Sequence, residues 1–308
     1  MPDRGMGSWQ KQLVPTECII CGSREEDTTL YPPRLSPASF SGQAFSARRE
    51  RRREHYRIVR CKSCGLVRSD PVLTPERLAE LYADSEFLFD EEASYAAETY
   101  AKLTTDLLGE DLAQGHLNSL LEIGCSSGFY LEKALALGIQ EVLGFEPSRQ
   151  CHLRANPAVR PFMVQDVFRP ELVGQLRFDL AASFHVVDHL FNPMEALRQV
   201  AEVLRPGGRL LIVCHDVEAV SARLLRDFSP IFDVEHIYLF STQTLSRLLM
   251  ALGLEVERVG PLANTYPLGY WLRMAPLFKH VLPWLPSGLL RKPLTVRAGN
   301  LFALARKG

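Results

Sequence analysis

Two short turns repeat in this chain: Cys18-Ile-Ile-Cys21-Gly22 and Cys61-Lys-Ser-Cys64-Gly65. In a Cys-x-x-Cys turn two thiolates can face one ion. The glycine that follows accepts a left-handed backbone and turns main-chain N–H groups toward sulfur. Together the turns offer Cys18, Cys21, Cys61 and Cys64, a closed tetrahedral set of the kind that holds structural zinc. A reduced or redox-active pair is the competing reading of either turn alone. The other cysteines, Cys125, Cys151 and Cys214, show no matched spacing. An odd total of seven, without an export signal, argues against a disulfide framework.

A second group of chemically useful residues begins at Glu122-Ile-Gly124-Cys-Ser126-Ser-Gly128-Phe129. Gly124 and Gly128 let a ligand approach the main chain closely. The G-x-G-x-x-G spacing of a dinucleotide loop is not met. Glu122 points further from phosphate, because a carboxylate there repels a pyrophosphate. It suits a cofactor with positive charge, such as one carrying an ammonium and a sulfonium. Glu146 closes the next apolar run, where an acid can accept from both hydroxyls of a ribose. Asp166 follows a third run and can accept from an exocyclic adenine amine. Acids at strand ends also cap helices, and for Asp166 that reading stays open.

These residues need elements to position them. A length of 308 suggests about two domains. Apolar residues make up 46% and charged residues 23%, which excludes a wholly disordered chain, a collagen and a coiled coil. Lys and Arg number 35 against 36 Asp and Glu, so no global basic field gathers nucleic acid. No bilayer-spanning apolar stretch and no apolar signal core occur, so a cytoplasmic location is expected. From about residue 117, short apolar runs alternate with helical patterns: Leu120–Ile123, Val142–Phe145, Phe162–Val164, Phe178–Phe184 and Arg209–Val213. That alternation predicts a parallel, doubly wound sheet with its ligand beyond the strand carboxyl ends. Thr74-Pro75-Glu76 is a helix start, and a second helix is predicted from about Glu92 to Leu112.

Residues 116–263, with a last strand near 300–306, resemble a class I S-adenosylmethionine-dependent methyltransferase. The family's D/E-x-G-x-G-x-G pattern falls on Glu122, Gly124, Ser126 and Gly128, with Ser126 in place of the middle glycine. Its second acid falls on Glu146, its adenine-side pair on Asp166 and Val167, and its fourth-strand signature on Phe184-His185-Val-Val-Asp188-His189-Leu190. Asp188 stands where Glu is usual. Leu204-Arg-Pro206-Gly207-Gly208 matches the family's post-helix turn. The resemblance implies an α/β fold: a doubly wound, seven-stranded Rossmann-like sheet, here preceded by a small zinc ribbon. It implies S-adenosylmethionine as cofactor, held by Glu122, Gly124, Ser126, Gly128, Glu146, Asp166, Val167 and Phe184. The expected division is a zinc-ribbon module over 1–73, a helical bridge or lid over 74–115, and the methyltransferase domain over 116–308 with an insertion at 264–298.

Paired cysteine turns ahead of this fold are similar to methyltransferases of sugar and polysaccharide biosynthesis. Sugar C-methyltransferases carry a further large C-terminal domain, for which this chain leaves no room. The expectation is therefore O- or N-directed transfer to a small or carrier-linked acceptor, sugar-derived and lipid- or nucleotide-linked. A hydroxyl acceptor needs a base near neutral pKa. His185, Asp188, His189, His215, Asp216 and His236 lie where a base could stand, and His185 and His236 are the leading catalytic candidates. The segment 264–290 is rich in aromatics, leucine and basic residues, so it can lie in a membrane interface, cover the pocket or form a dimer contact. Two other readings compete. One is a nucleic-acid methyltransferase gripping RNA through the zinc module and the run Arg48–Arg53. The balanced charge and the absence of an Asn/Asp-Pro-Pro-Tyr/Phe signature argue against it. The other is a non-catalytic scaffold, against which the intact glycine loop and acids argue.

Overall fold

The structure is a computed structural model that describes residues 12–23, 27–41, 45, 54–84, 90–274 and 282–308. The basic run Arg48–Arg53 lies outside the described residues, as does 275–281 of the aromatic segment.

The elements run β1 (Leu13–Val14), β2 (Asp27–Tyr31), β3 (Ile58–Cys61), β4 (Val67–Ser69), β5 (Val72–Leu73), α1 (Pro75–Ala83), α2 (Asp90–Ala113), β6 (Ser119–Ile123) and α3 (Phe129–Ala136). They continue as β7 (Glu141–Phe145), α4 (Arg149–Arg154), β8 (Met163–Val164), β9 (Phe178–Phe184), α5 (Pro193–Val203), β10 (Leu204–His215) and α6 (Val220–Leu225). The last are β11 (Tyr238–Leu239), α7 (Thr242–Ala251), β12 (Leu254–Pro267), α8 (Leu268–Met274), α9 (Ser287–Leu290) and β13 (Pro293–Lys307).

The seven-stranded sheet has the order β12-β13-β10-β9-β6-β7-β8. From β10 to β8 every pairing is parallel, while β13 runs antiparallel between β10 and β12. Apolar residues fill both faces of the inner strands, as a sheet covered on two sides requires. Leu120, Leu180, Leu211 and Leu304 pack toward α2 and α3, in one cluster. Leu121, Ala181, Leu210 and Ile212 pack toward α5 and α7, in another. Helix α1 starts as its sequence requires: the Thr74 hydroxyl accepts from Arg77 N at 3.4 Å, with Pro75 in the first turn. Helix α2 is longer than the predicted stretch and breaks at Leu108, whose φ and ψ are not helical.

The expected insertion at 264–298 is shorter than its sequence suggests. β12 and β13 stay paired as far as Pro267 opposite Pro293, so only 268–292 leaves the sheet. Pro261, Asn264 and Pro267 read as turn signals, yet β12 is an edge strand, where proline costs no ladder hydrogen bond. Thr265 and Thr295 hydroxyls pair across the extension at 2.8 Å.

The cysteine-bearing module does not fold as a separate bead either. Its sheet has the order β11-β4-β3-β2, and β11 comes from the far side of the methyltransferase sequence. Its buried residues, including Cys18, Tyr56 and Leu66, share one core cluster with Leu121, Ile212 and Leu248. Inside the module, the fully buried Arg68 is held by the Asp27 carboxylate and by the Thr16 hydroxyl. Among the described residues, no helix is long and apolar enough to cross a membrane.

Candidate active site

A cavity of ≈ 1140 Å³ opens beyond the carboxyl ends of β6, β7, β8, β9 and β10. The loop after β6 forms its floor. Gly124 has φ +72°, and a Cβ on it would stand 2.3 Å from Val186 Cγ2. Gly128 is also left-handed, at φ +77°, and ends the loop at the start of α3. Ser126, in the position of the family's middle glycine, has φ +50°. The turn thus demands a left-handed residue there, and serine adopts it at a cost of about 1 kcal/mol. Its amide is held by Glu146: Ser126 N donates to Glu146 Oε2 at 3.1 Å. Ser148 N donates to Oε1 of the same carboxylate at 2.8 Å.

Glu122 closes β6 and is almost fully buried. Its Oε2 has no hydrogen-bond partner. Burial, then the neighbouring Glu146 carboxylate, push the Glu122 carboxyl well above its usual range. A buried acid oxygen without a donor costs free energy unless a cation or donor arrives to meet it. An ammonium group fits that vacancy in charge and in hydrogen-bonding capacity, whereas a diphosphate does not. Asp166 and Val167 border the cavity after β8. Asp166 is more committed than its sequence suggests: it accepts from Val167 N at 2.8 Å and from Arg169 Nη2 at 2.6 Å. Phe184 ends β9, with Tyr100 of α2 stacked on it at 4.1 Å between ring centroids. The bridge thus covers the pocket, as does the extended hairpin through Tyr266 and Tyr270, which stack at 4.3 Å.

The opposite wall gathers four histidines around one acid. Asp188 is fully buried. Its Oδ2 accepts from His215 Nδ1 at 2.6 Å. Against the cost of burial, neighbouring His189 and this hydrogen bond hold the Asp188 carboxyl well below its usual range. His185 takes a left-handed φ of +55°, rare for a residue with a side chain. Its Nε2 accepts from Asn300 Nδ2 at 3.3 Å, and burial with His215 nearby brings it down to about 3. His236 Nδ1 donates to Ile231 O at 2.8 Å, and burial keeps that ring neutral. The rings of His185 and His215 lie 4.6 Å apart, and those of His215 and His236 4.4 Å apart. The two leading sequence candidates, His185 and His236, therefore reach the same cavity from strand ends far apart in the chain.

Sequence reasoning passed over Asn264, Asn300 and Tyr82. Asn300 donates to Asn264 Oδ1 at 3.1 Å as well as to His185, and so fixes that ring. Tyr82, from α1, meets His189 Nδ1 at 3.1 Å. The one available signal was a polar Asn300 at the head of the apolar run Leu301–Ala305. Asp188 and His215 were visible as candidates, but their pairing was not, since Asp188 lies in the loop after β9 and His215 ends β10.

The cysteine turns also meet as their spacing suggests. Cys18 Sγ lies 3.2 Å from Cys64 Sγ, and Cys21 Sγ 3.5 Å from Cys61 Sγ. Gly22 and Gly65 both have positive φ.

A sheet of this order, with a left-handed glycine loop after its first strand and acids at the next strand ends, defines a class I S-adenosylmethionine-dependent methyltransferase. The chain belongs to the methyltransferase-domain family, whose model matches residues 92–259. Among curated relatives, the tRNA U34 carboxymethyltransferase of Pseudoalteromonas atlantica is 29% identical over 164 residues, covering 49% of this chain and 50% of the relative. That of Idiomarina loihiensis is 29% identical over 161 residues, covering 47% of each. The chain spans about half the length of these curated relatives. Among solved structures, the plantazolicin methyltransferase BpumL with SAH aligns at TM-score 0.46 and 15% identity, covering 76% of this chain and 91% of that one. An S-adenosylmethionine-dependent methyltransferase from Mesorhizobium loti aligns at TM-score 0.41 and 18% identity, covering 61% and 90%.

The loop geometry generates a direct test. Gly124→Ala combines a strained φ with overlap on Val186 and should cost roughly 2–4 kcal/mol in urea unfolding. Adding Val186→Ala should return part of the loss. Equal losses in the single and double variants would show that Val186 does not set the loop.

Proposed function

We propose that this protein transfers the methyl group of S-adenosylmethionine to a hydroxyl acceptor seated in the cavity, with His215 taking the hydroxyl proton. The observation that carries this reading is the His215–Asp188 pair at the cavity wall. With its Nδ1–H donated to a buried carboxylate, His215 presents Nε2 as the acceptor nitrogen. Asp188 fixes that tautomer and stabilises the imidazolium that forms. Bound S-adenosylmethionine supplies a methyl on positively charged sulfur, already activated for in-line displacement.

The remaining residues bind and align. Glu122 meets the cofactor's ammonium, and the main chain of Gly124, Ser126 and Gly128 admits it closely. Glu146 accepts from the ribose hydroxyls; a carboxylate has lone pairs left after the two N–H groups it already serves. Asp166 and Val167 border the adenine. Phe184, under Tyr100, shapes the floor near the methyl. Closure by α2 and the hairpin excludes water, and alignment with desolvation then makes up most of the rate gain. His185 is locked by Asn300 and serves to position its neighbours.

The curated relatives above act on tRNA, and a hydroxyl acceptor is common to RNA and to sugars. An RNA acceptor is the second reading, favoured by those relatives' names. A screen of hydroxylated small molecules, nucleotide sugars, glycolipids and RNA with labelled cofactor separates the two. With the acceptor it finds, His215→Gln should lower kcat by about 10²–10⁴-fold and leave S-adenosylhomocysteine affinity nearly unchanged. An undiminished kcat would remove His215 as base.

The four cysteines fit a structural zinc. Sulfurs about 2.3 Å from one tetrahedral ion stand about 3.8 Å apart; the observed pairs, at 3.2 and 3.5 Å, are somewhat shorter, and all four sulfurs lie within 4.8 Å of one another. The module is wired into the site: Ser69 N donates to Ile237 O at 2.8 Å, and Ser69 Oγ to His236 O at 2.7 Å. Chelation under reducing conditions should therefore raise amide exchange at 236–239 together with 58–69. Faster exchange in 58–69 alone would show that the module does not support the His236 wall.

A further inference from the structure

We infer that Asp188, His189 and His236 form a binding site for a divalent transition-metal ion in the wall of the methyl-transfer cavity, separate from the cysteine set. One donor atom from each lies within 4.8 Å of the other two. Asp188 Oδ1 and His189 Nε2 are 3.8 Å apart, too far for a direct hydrogen bond. Donors about 2.1 Å from a shared ion stand about 3 Å apart at right angles and about 4.2 Å apart when opposed, so this separation suits a common ion. Both atoms are buried, and neither has a hydrogen-bond partner. A carboxylate oxygen and an imidazole nitrogen left facing each other in this way want a cation between them.

The far atoms of all three side chains are already engaged. His236 donates from Nδ1 to Ile231 O, which leaves Nε2 with its lone pair. Tyr82 Oη donates to Glu235 O at 3.4 Å, which favours the His189 tautomer whose Nδ1–H, 3.1 Å away, donates to Tyr82 Oη and whose Nε2 is bare. Asp188 Oδ2 is held by His215, which aims Oδ1 at the histidines. Metal-ligating side chains are oriented by such partners on their second atom. Two histidines and one carboxylate on one side of an ion leave positions open on the other. His189 and His236 border the cavity, so those positions face it. The ligand they take is an oxygen donor, the acceptor's hydroxyl. Held by Asp188, His189 and His236, such an ion would polarise that O–H and lower its pKa, and His215 would take the proton. This role rests on the proposed transfer to a hydroxyl; the ion site itself does not.

The test uses the 308-residue protein with zinc on its cysteines, titrated with cobalt(II). One further equivalent should bind, with visible d–d absorption and without the near-ultraviolet thiolate charge transfer that cobalt on sulfur gives. His189→Gln and His236→Gln should each weaken uptake by at least about tenfold. Should those variants not fold, manganese(II) added to the unaltered protein decides: the His189 and His236 ring resonances broaden ahead of those of His55 and His116. No uptake beyond the cysteine set overturns the site. So does uptake unchanged in folded histidine variants, or uniform broadening of all four rings. S-adenosylhomocysteine binding in the same samples reads the cofactor cradle separately. Its failure alongside normal cobalt uptake would sink the methyl-transfer reading and leave the ion site standing.

Discussion

The architecture turns on a buried acidic side chain that the rest of the protein leaves without a partner. Glu122 sits at the head of the central strand with an oxygen that nothing donates to, and Glu146 stands close enough to raise its pKa further. Such a group stays neutral by keeping its proton until a cation or donor completes it. The same lack of a partner recurs across the cavity at Asp188, one of whose oxygens is held by His215 while the other faces His189 without a bond. Two unsatisfied carboxylates on opposite walls thus mark where a cationic cofactor and an ion-polarised acceptor would meet.

Everything else holds these charges in place. The left-handed turn at Gly124 and Ser126 brings the main chain under the cofactor position and ties it to Glu146 through one amide. The cysteine module contributes a sheet edge to β11 and so sets the height of His236. Helix α1, which follows the module, reaches His189 through Tyr82. Removing the module would therefore open the wall of the site as well as unfold a small ribbon. The long hairpin of β12 and β13 supplies Asn300 and Asn264 beside His185, and Tyr266 at its end stacks on Tyr270 of α8 at the cavity.

Much of this was legible in the sequence, for identifiable reasons. The alternation of short apolar runs with helical patterns gave the sheet, because strands covered on both faces read as unbroken apolar stretches. The left-handed loop after β6 and the acids beyond β7 and β8 were readable because they are local: each follows the end of its own strand. The cysteine turns were readable by their repeated spacing. The histidine wall was not, because its logic is one of pairing between β9, β10 and the segment before β11. Nothing in the stretch around His215 says that its ring will meet Asp188. The extension of the hairpin was hidden by Pro261 and Pro267, which punctuate most strands but not an edge strand. The shared sheet of the cysteine module was hidden because β11 is a two-residue strand far along the chain.

A cradle built for a cation should tell an amine from its neutral analogue and from a diphosphate. S-adenosylhomocysteine, its analogue lacking the amino group, and a nicotinamide dinucleotide are titrated calorimetrically from about pH 6 to about pH 8. Glu122, raised by burial, must give up its proton to receive an ammonium, so affinity for the amine should climb with pH. The account predicts that the amine binds at least about tenfold more tightly than its analogue, a gap of about 1.4 kcal/mol that widens as pH rises, and that the dinucleotide does not compete. Equal affinity with and without the amine, or snug binding of the diphosphate, would contradict it.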